Sequence, residues 1–117
     1  MRINNIGIHS DYSVIAFQGC SSIKTSVLED GRFVPYDSGF HMFMGDVINA
    51  VKDTQTIYIM GGEPMDQYAD LLEMCRLLKN DGHSIYLYTT NRIDPTKDCY
   101  IKLAQYTNEI VYAGKEY

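Results

Sequence analysis

Short apolar runs of strand type alternate with stretches of helical spacing along this chain. That alternation is what most limits the folds open to it. Ser13–Phe17 (Ser-Val-Ile-Ala-Phe) reads as a first strand closed by Gly19. Thr56–Met60 is β-branched and aromatic and runs straight into Gly61-Gly62, as a buried strand ending in a tight turn would. Ser84–Thr89 and Glu109–Tyr112 supply two more strands. Between them, Phe40, Phe43, Met44, Val47, Ile48 and Val51 fall at helical spacing, with Ser38 as the cap. Tyr68, Leu71, Leu72, Cys75 and Leu78 line one face of a second helix, which Asn80-Asp81-Gly82 stops. Asp94-Pro95 suits the cap and first turn of a third helix, to about Tyr106.

Strand, helix, strand, helix, strand, helix, strand implies parallel strands joined by right-handed crossovers. The expected fold class is therefore α/β with mainly parallel strands, in one domain over residues 1–117. Ligands of such sheets sit outside the carboxyl ends of the strands. Three of those ends are polar or glycine-rich: Gln18-Gly19-Cys20, Gly61-Gly62-Glu63-Pro64 and Thr89-Thr90-Asn91. They are expected to converge on one rim. One segment breaks the alternation. Thr25–Glu29 and Arg32–Tyr36 flank Asp30-Gly31, a pair suited to a two-residue type I′ turn, which predicts an inserted β-hairpin near residues 25–36.

Composition narrows the function classes. The chain has 117 residues, 45% hydrophobic and 21% charged, which is globular rather than disordered. Its net charge of −5 comes with no basic run, which argues against a phosphate-tracking nucleic-acid surface. No apolar stretch reaches the roughly 18 residues of a membrane span, and the first residues carry no signal-peptide pattern. Cys20, Cys75 and Cys99 are odd in number and widely spaced. That fits a reducing cytoplasm better than a disulfide scaffold. His9, His41 and His83 form no helical pair with each other or with a cysteine, and no Ser/His/Asp nucleophile pattern is present.

Gly61-Gly62-Glu63-Pro64 is the sharpest local feature. Two glycines after a strand let a ligand approach the backbone, and a carboxylate beside exposed main chain can receive a ligand ammonium. The plainer reading is turn punctuation capped by an acidic residue. The tetrapeptide does not stand alone. Phe17-Gln18-Gly19-Cys20 precedes it at the first strand end, and Asp37-Ser38-Gly39 precedes the first helix. Thr90-Asn91 and Ala113-Gly114-Lys115 follow at the later strand ends. In this order, residues 13–117 resemble the radical S-adenosylmethionine activases, in particular those that activate the anaerobic, glycyl-radical ribonucleotide reductase. The resemblance implies a partial (β/α) barrel. It also implies a cofactor-binding rim at Gly61, Gly62, Glu63, Pro64, Thr90 and Asn91.

The resemblance fails at the iron–sulfur cluster. The family holds its four-iron cluster with Cys-x-x-x-Cys-x-x-Cys. Counted from Cys20, the second and third ligand positions fall on Lys24 and Val27. One thiolate cannot hold a cluster that takes three or four. Ala113 also replaces the family's usual Asp before the last glycine. The expectation is a non-catalytic pseudo-activase with no cofactor and no iron–sulfur cluster. It would act by protein–protein contact on a ribonucleotide reductase subunit or another protein of nucleotide metabolism or host control. An iron-free S-adenosylmethionine or nucleotide-binding protein is the alternative. An active iron–sulfur activase that borrows ligands ranks below both. Cys20 could also be a reactive thiol if Lys24 lowers its pKa, although an inherited cysteine without a role is the simpler reading. Phe40, Met42, Phe43 and Met44 place apolar groups on more than one side of the first helix, which suits a partner or a homo-oligomer. Tyr58, Tyr86 and Tyr88 alternate within strands and are expected to serve packing.

Overall fold

The structure, a computed structural model, describes residues 1–18, 25–27, 33–35 and 39–113, with the backbone alone at 25–27 and 33–35. The described elements in chain order are β1 (Arg2–Ile8), β2 (Tyr12–Phe17), β3 (Thr25–Val27), β4 (Phe33–Pro35), β5 (Phe40–His41) and α1 (Met44–Ala50). They continue with β6 (Thr56–Gly61), α2 (Tyr68–Asn80), β7 (Ser84–Thr89), α3 (Asp98–Ala104) and β8 (Glu109–Tyr112). Six strands form an open sheet in the order β5-β1-β2-β6-β7-β8. Strands β2, β6, β7 and β8 are parallel and lie side by side in chain order. Both β1 and β5 are antiparallel additions at the β2 side.

Consecutive crossovers of one hand place all the helices on one face of such a sheet. The core shows this arrangement. Ile15 and Phe17 of β2, Ile57 and Ile59 of β6, and Ile85 and Leu87 of β7 share a face through the parallel register. They cluster with Val47 and Val51 of the α1 region, with Leu71, Met74, Cys75 and Leu78 of α2, and with Leu103 of α3. Helix α2 ends where the sequence places its stop. Gly82, at φ +90°, sends its N–H to the Lys79 carbonyl, and Asp81 and His83 donate to Leu77 and Leu78. A left-handed residue past the helix end suits glycine.

Strand β1 is absent from the sequence reading, and its bulge explains why. Ile3 and Ile6 are three residues apart, which in a regular strand puts them on opposite faces. The pairing shifts by one residue between Ile3 and Asn5. The extra residue rephases the strand, so that Ile3 lies opposite Phe17 and Ile6 opposite Ile15, both on the core side.

Helix α1 starts later than its apolar spacing predicts, and its expected cap, Ser38, lies outside the described residues. Phe40 and His41 are not helical. They pair with Ile3 and Arg2 as a sheet edge, and the helix opens only where the Phe43 carbonyl accepts from Asp46 and Val47. Helix α3 also starts later. Asp94 Oδ1 accepts from the Thr96 N–H at 2.9 Å and the Thr96 hydroxyl at 2.6 Å. That closes a separate turn before Lys97, the helix cap.

The inserted hairpin forms, in a different register. Thr25 pairs with Pro35, Ser26 with Val34 and Val27 with Phe33. The last pair encloses five residues. A two-residue turn at Asp30-Gly31 needs the register one residue on, with Val27 opposite Val34.

Tyr68, at the start of α2, packs against the core and buries its hydroxyl, which has no hydrogen-bond partner among the described residues. Leaving such a group unpaired costs about 1–3 kcal/mol. Tyr68→Phe is therefore expected to raise the urea midpoint, with a gain of about 1 kcal/mol. A lower midpoint would show that the hydroxyl has a partner.

Candidate functional site

The carboxyl ends of β2, β6 and β7 meet on one rim, as expected from the sequence. Phe17 lies opposite Gly61 across the first pair. The second pair runs to Ile59 opposite Leu87, which brings Glu63 beside Thr89 and Thr90. The rim thus gathers Gly61, Gly62, Glu63, Pro64, Thr90 and Asn91. Gly19 and Cys20 lie outside the described residues.

Gly61 is dictated by packing. Its φ is +120°, and a Cβ there would stand 2.4 Å from the Phe17 carbonyl oxygen and 2.5 Å from the Phe17 nitrogen. Gly62 donates its N–H to that same Phe17 oxygen at 3.3 Å. Asn4, the bulge residue, adds its side-chain amide at 3.2 Å. Gly61 therefore lets β6 close down on the backbone of β2. The approaching main chain is the protein's own.

Glu63 is fully buried. Its Oε1 accepts from the Thr89 hydroxyl (2.8 Å), the Thr90 N–H (2.6 Å) and the Thr90 hydroxyl (2.7 Å). Its Oε2 accepts from the Thr89 hydroxyl (2.8 Å) and the Met65 N–H (2.7 Å). The last bond caps a short 3₁₀ turn, Pro64–Gln67, in which Pro64 takes a first-turn position that needs no donor. A carboxylate offers about four lone-pair sites. These donors fill them, so the Glu63 side chain faces inward and ties β6 to β7. The carboxylate expected to meet a ligand ammonium already has its partners. Asn91 is exposed, with its N–H on the Thr89 hydroxyl at 3.0 Å.

The rim continues on β1, where sequence reasoning saw nothing. Arg2 donates from Nε to Gln18 Oε1 at 2.5 Å, and a second guanidinium nitrogen bonds the Gly39 carbonyl. Gln67 clasps the backbone of Arg2 in both directions at 2.9 Å, accepting its N–H and donating to its carbonyl. Arg2 thus joins the end of β2 to the start of β5. Its partners are distant in sequence, so no local pattern announces it.

The donor set does not fit a four-iron cluster. Cys20 is followed at ligand spacing by Lys24 and Val27. Cys75 is buried among apolar side chains, where burial pushes its thiol up to about 12. Cys99 lies apart on α3. Among the described residues no three His, Cys, Asp or Glu side chains gather as a metal site. No described helix is long and apolar enough to cross a membrane.

The exposed edge is the second feature of note. Phe43 is 72% exposed and Phe40 51%. The Phe43 ring meets His41 edge-on at 5.3 Å. Met42 and Met44, expected on the same surface, instead pack against the core. No protein-family model matches the chain, and no curated protein does.

Proposed function

We propose that this chain is a non-catalytic member of the radical S-adenosylmethionine activase lineage that works by binding another protein. The fold is read as a partial (β/α) barrel, and the chain-order run β2-β6-β7-β8 supports that reading. The carrying observation is Phe43, the most exposed large apolar side chain among the described residues. Phe40, three residues earlier in the chain, is exposed as well. Solvent-facing aromatic groups of this kind commonly anchor interfaces. The glycyl-radical ribonucleotide reductase subunit is the partner to test first, and the cytoplasm the compartment. The inward Glu63 favours this reading over iron-free S-adenosylmethionine or nucleotide binding at the rim.

The test is titration of that subunit with the apoprotein. Binding is expected without iron or S-adenosylmethionine, and Cys20→Ser should leave it intact. Phe43→Asp should weaken it by about 2 kcal/mol, roughly thirtyfold, with an unchanged unfolding curve. Full binding by folded Phe43→Asp would remove the edge from the interface. Binding that requires S-adenosylmethionine would transfer the function to Gly61, Gly62, Thr90 and Asn91.

A further inference from the structure

Strand β8 closes one end of the described sheet, with β7 on one side and no described strand on the other. Its sequence, Glu-Ile-Val-Tyr, is rich in strand formers and has neither the proline nor the lysine that commonly blunts an edge. Along a strand, the N–H and C=O of one residue point to one side and those of the next to the other. Ala113 donates its N–H to the Thr89 carbonyl at 2.8 Å, so the main-chain groups of Glu109, Val111 and Ala113 turn toward β7. Those of Ile110 and Tyr112 turn outward, where they have no partner among the described residues. Tyr112 is exposed, and Ile110 and Val111 are only partly buried.

We propose that β8 pairs with β8 of a second copy, antiparallel across a twofold axis, to make one continuous sheet. Main-chain geometry is the first argument. Two outward residues that face each other in an antiparallel pair exchange both bonds. Ile110 opposite the partner's Tyr112 does this, and symmetry repeats it, so no outward group of either residue is left over. Val111 then lies on the axis. With Ile110 opposite the partner's Ile110, fewer bonds form, because Tyr112 would face Asn108, whose N–H is already on the Ile85 carbonyl at 2.7 Å. Charge is the second argument. Glu109 is the one ionised side chain of the strand. In this register it faces the partner's Ala113, about 13 Å along the strand from the partner's Glu109, beyond a screening length of roughly 8 Å. A parallel pairing would set the two carboxylates side by side. Next to the partner's Ala113 is the partner's Tyr112, and in each copy the Arg92 guanidinium stands 5.8 Å from the centre of that ring. The acidic end of one strand thus meets the basic end of the other, although the chain as a whole carries −5. Strand β8 and the Phe40–Phe43 segment lie at opposite ends of the strand order, so this pairing stands or falls apart from the proposed function.

The experiment is sedimentation velocity on the full chain from micromolar to submillimolar concentration, with amide exchange measured at both ends. A monomer–dimer equilibrium is expected, with the Ile110 and Tyr112 amides protected only as the dimer fills. Tyr112→Pro deletes an outward N–H and no bond to β7. It should raise the dissociation constant at least about tenfold, and Tyr112→Ala, which keeps the N–H, should not. Where Tyr112→Pro fails to fold, Val111→Cys carries the test. Residues opposed on the axis in this register have Cα atoms about 4.5 Å apart, within disulfide reach. Oxidised glutathione should therefore link Val111→Cys chains into dimers and leave Glu109→Cys chains and the parent unlinked. A monomer at every concentration would overturn the proposal, as would a dimer whose Val111→Cys chains fail to link. A dimer broken by Phe43→Asp and indifferent to Tyr112→Pro would overturn it in favour of the Phe40–Phe43 segment.

Discussion

A Glu63→Ala chain is expected to lose about 4 kcal/mol of stability, read as a lower urea midpoint at constant slope. The loss comes from the donors left behind. The N–H groups of Met65 and Thr90 and the hydroxyls of Thr89 and Thr90 all point at the vanished carboxylate. Bonds to an ionised acceptor are worth about 1.5–3 kcal/mol each, and hydroxyls can turn elsewhere whereas the two amides cannot. Glu63→Gln should cost less. It keeps one acceptor oxygen but turns an NH₂ toward a donor. A Glu63→Ala protein as stable as the parent would mean that the carboxylate is not the tie between β6 and β7. The direction also separates two roles. A group kept for a ligand can be removed from the free protein at little cost, and often at a gain.

Gly61→Ala should be nearly as damaging, at about 3 kcal/mol. Two penalties coincide: an L side chain at φ +120°, and a methyl 2.4 Å from the Phe17 oxygen. The obstacle is backbone on a central strand, held by pairing with both β1 and β6. It cannot rotate aside as a side chain would. The pair must spread, and the Gly62 bond to the same oxygen goes with it. Amide exchange should therefore accelerate first at Gly62 and at the end of β2. A fully stable Gly61→Ala protein would contradict the close approach of the two strands.

The parts of this fold that were legible in the sequence are those decided by neighbours in the chain. Helix α2 needs only its apolar spacing and the Asn80-Asp81-Gly82 stop, and both operate within a few residues. Strands β6, β7 and β8 are short apolar runs between breakers. The misreading at Phe40 comes from a partner far away in the chain. Phe40 fits the helical period of Val47 and Val51, but β1 claims its backbone first. Asn4 hides β1 because a bulge has no composition of its own beyond a broken alternation. At the site, the convergence of the strand ends followed from alternation, but the direction of Glu63 did not. Its threonine donors lie 26 and 27 residues on in the chain. A usable signal was present: parallel register extended past Ile59 and Leu87 brings Glu63 near two adjacent hydroxyls.

The chain-order arrangement of the parallel strands also sets how the molecule can assemble. Each new βα unit docks on the one made just before it, so the sheet can grow by accretion from β6 toward β8. The exception is the first parallel pair. Between β2 and β6 the chain leaves to form β3, β4, β5 and α1, the longest excursion separating any two parallel neighbours. Closing it carries the largest entropic toll of the three parallel closures. The rate-limiting encounter in folding should therefore be β2 meeting β6. Shortening the β3–β4 insertion should speed folding and leave the unfolding rate nearly alone.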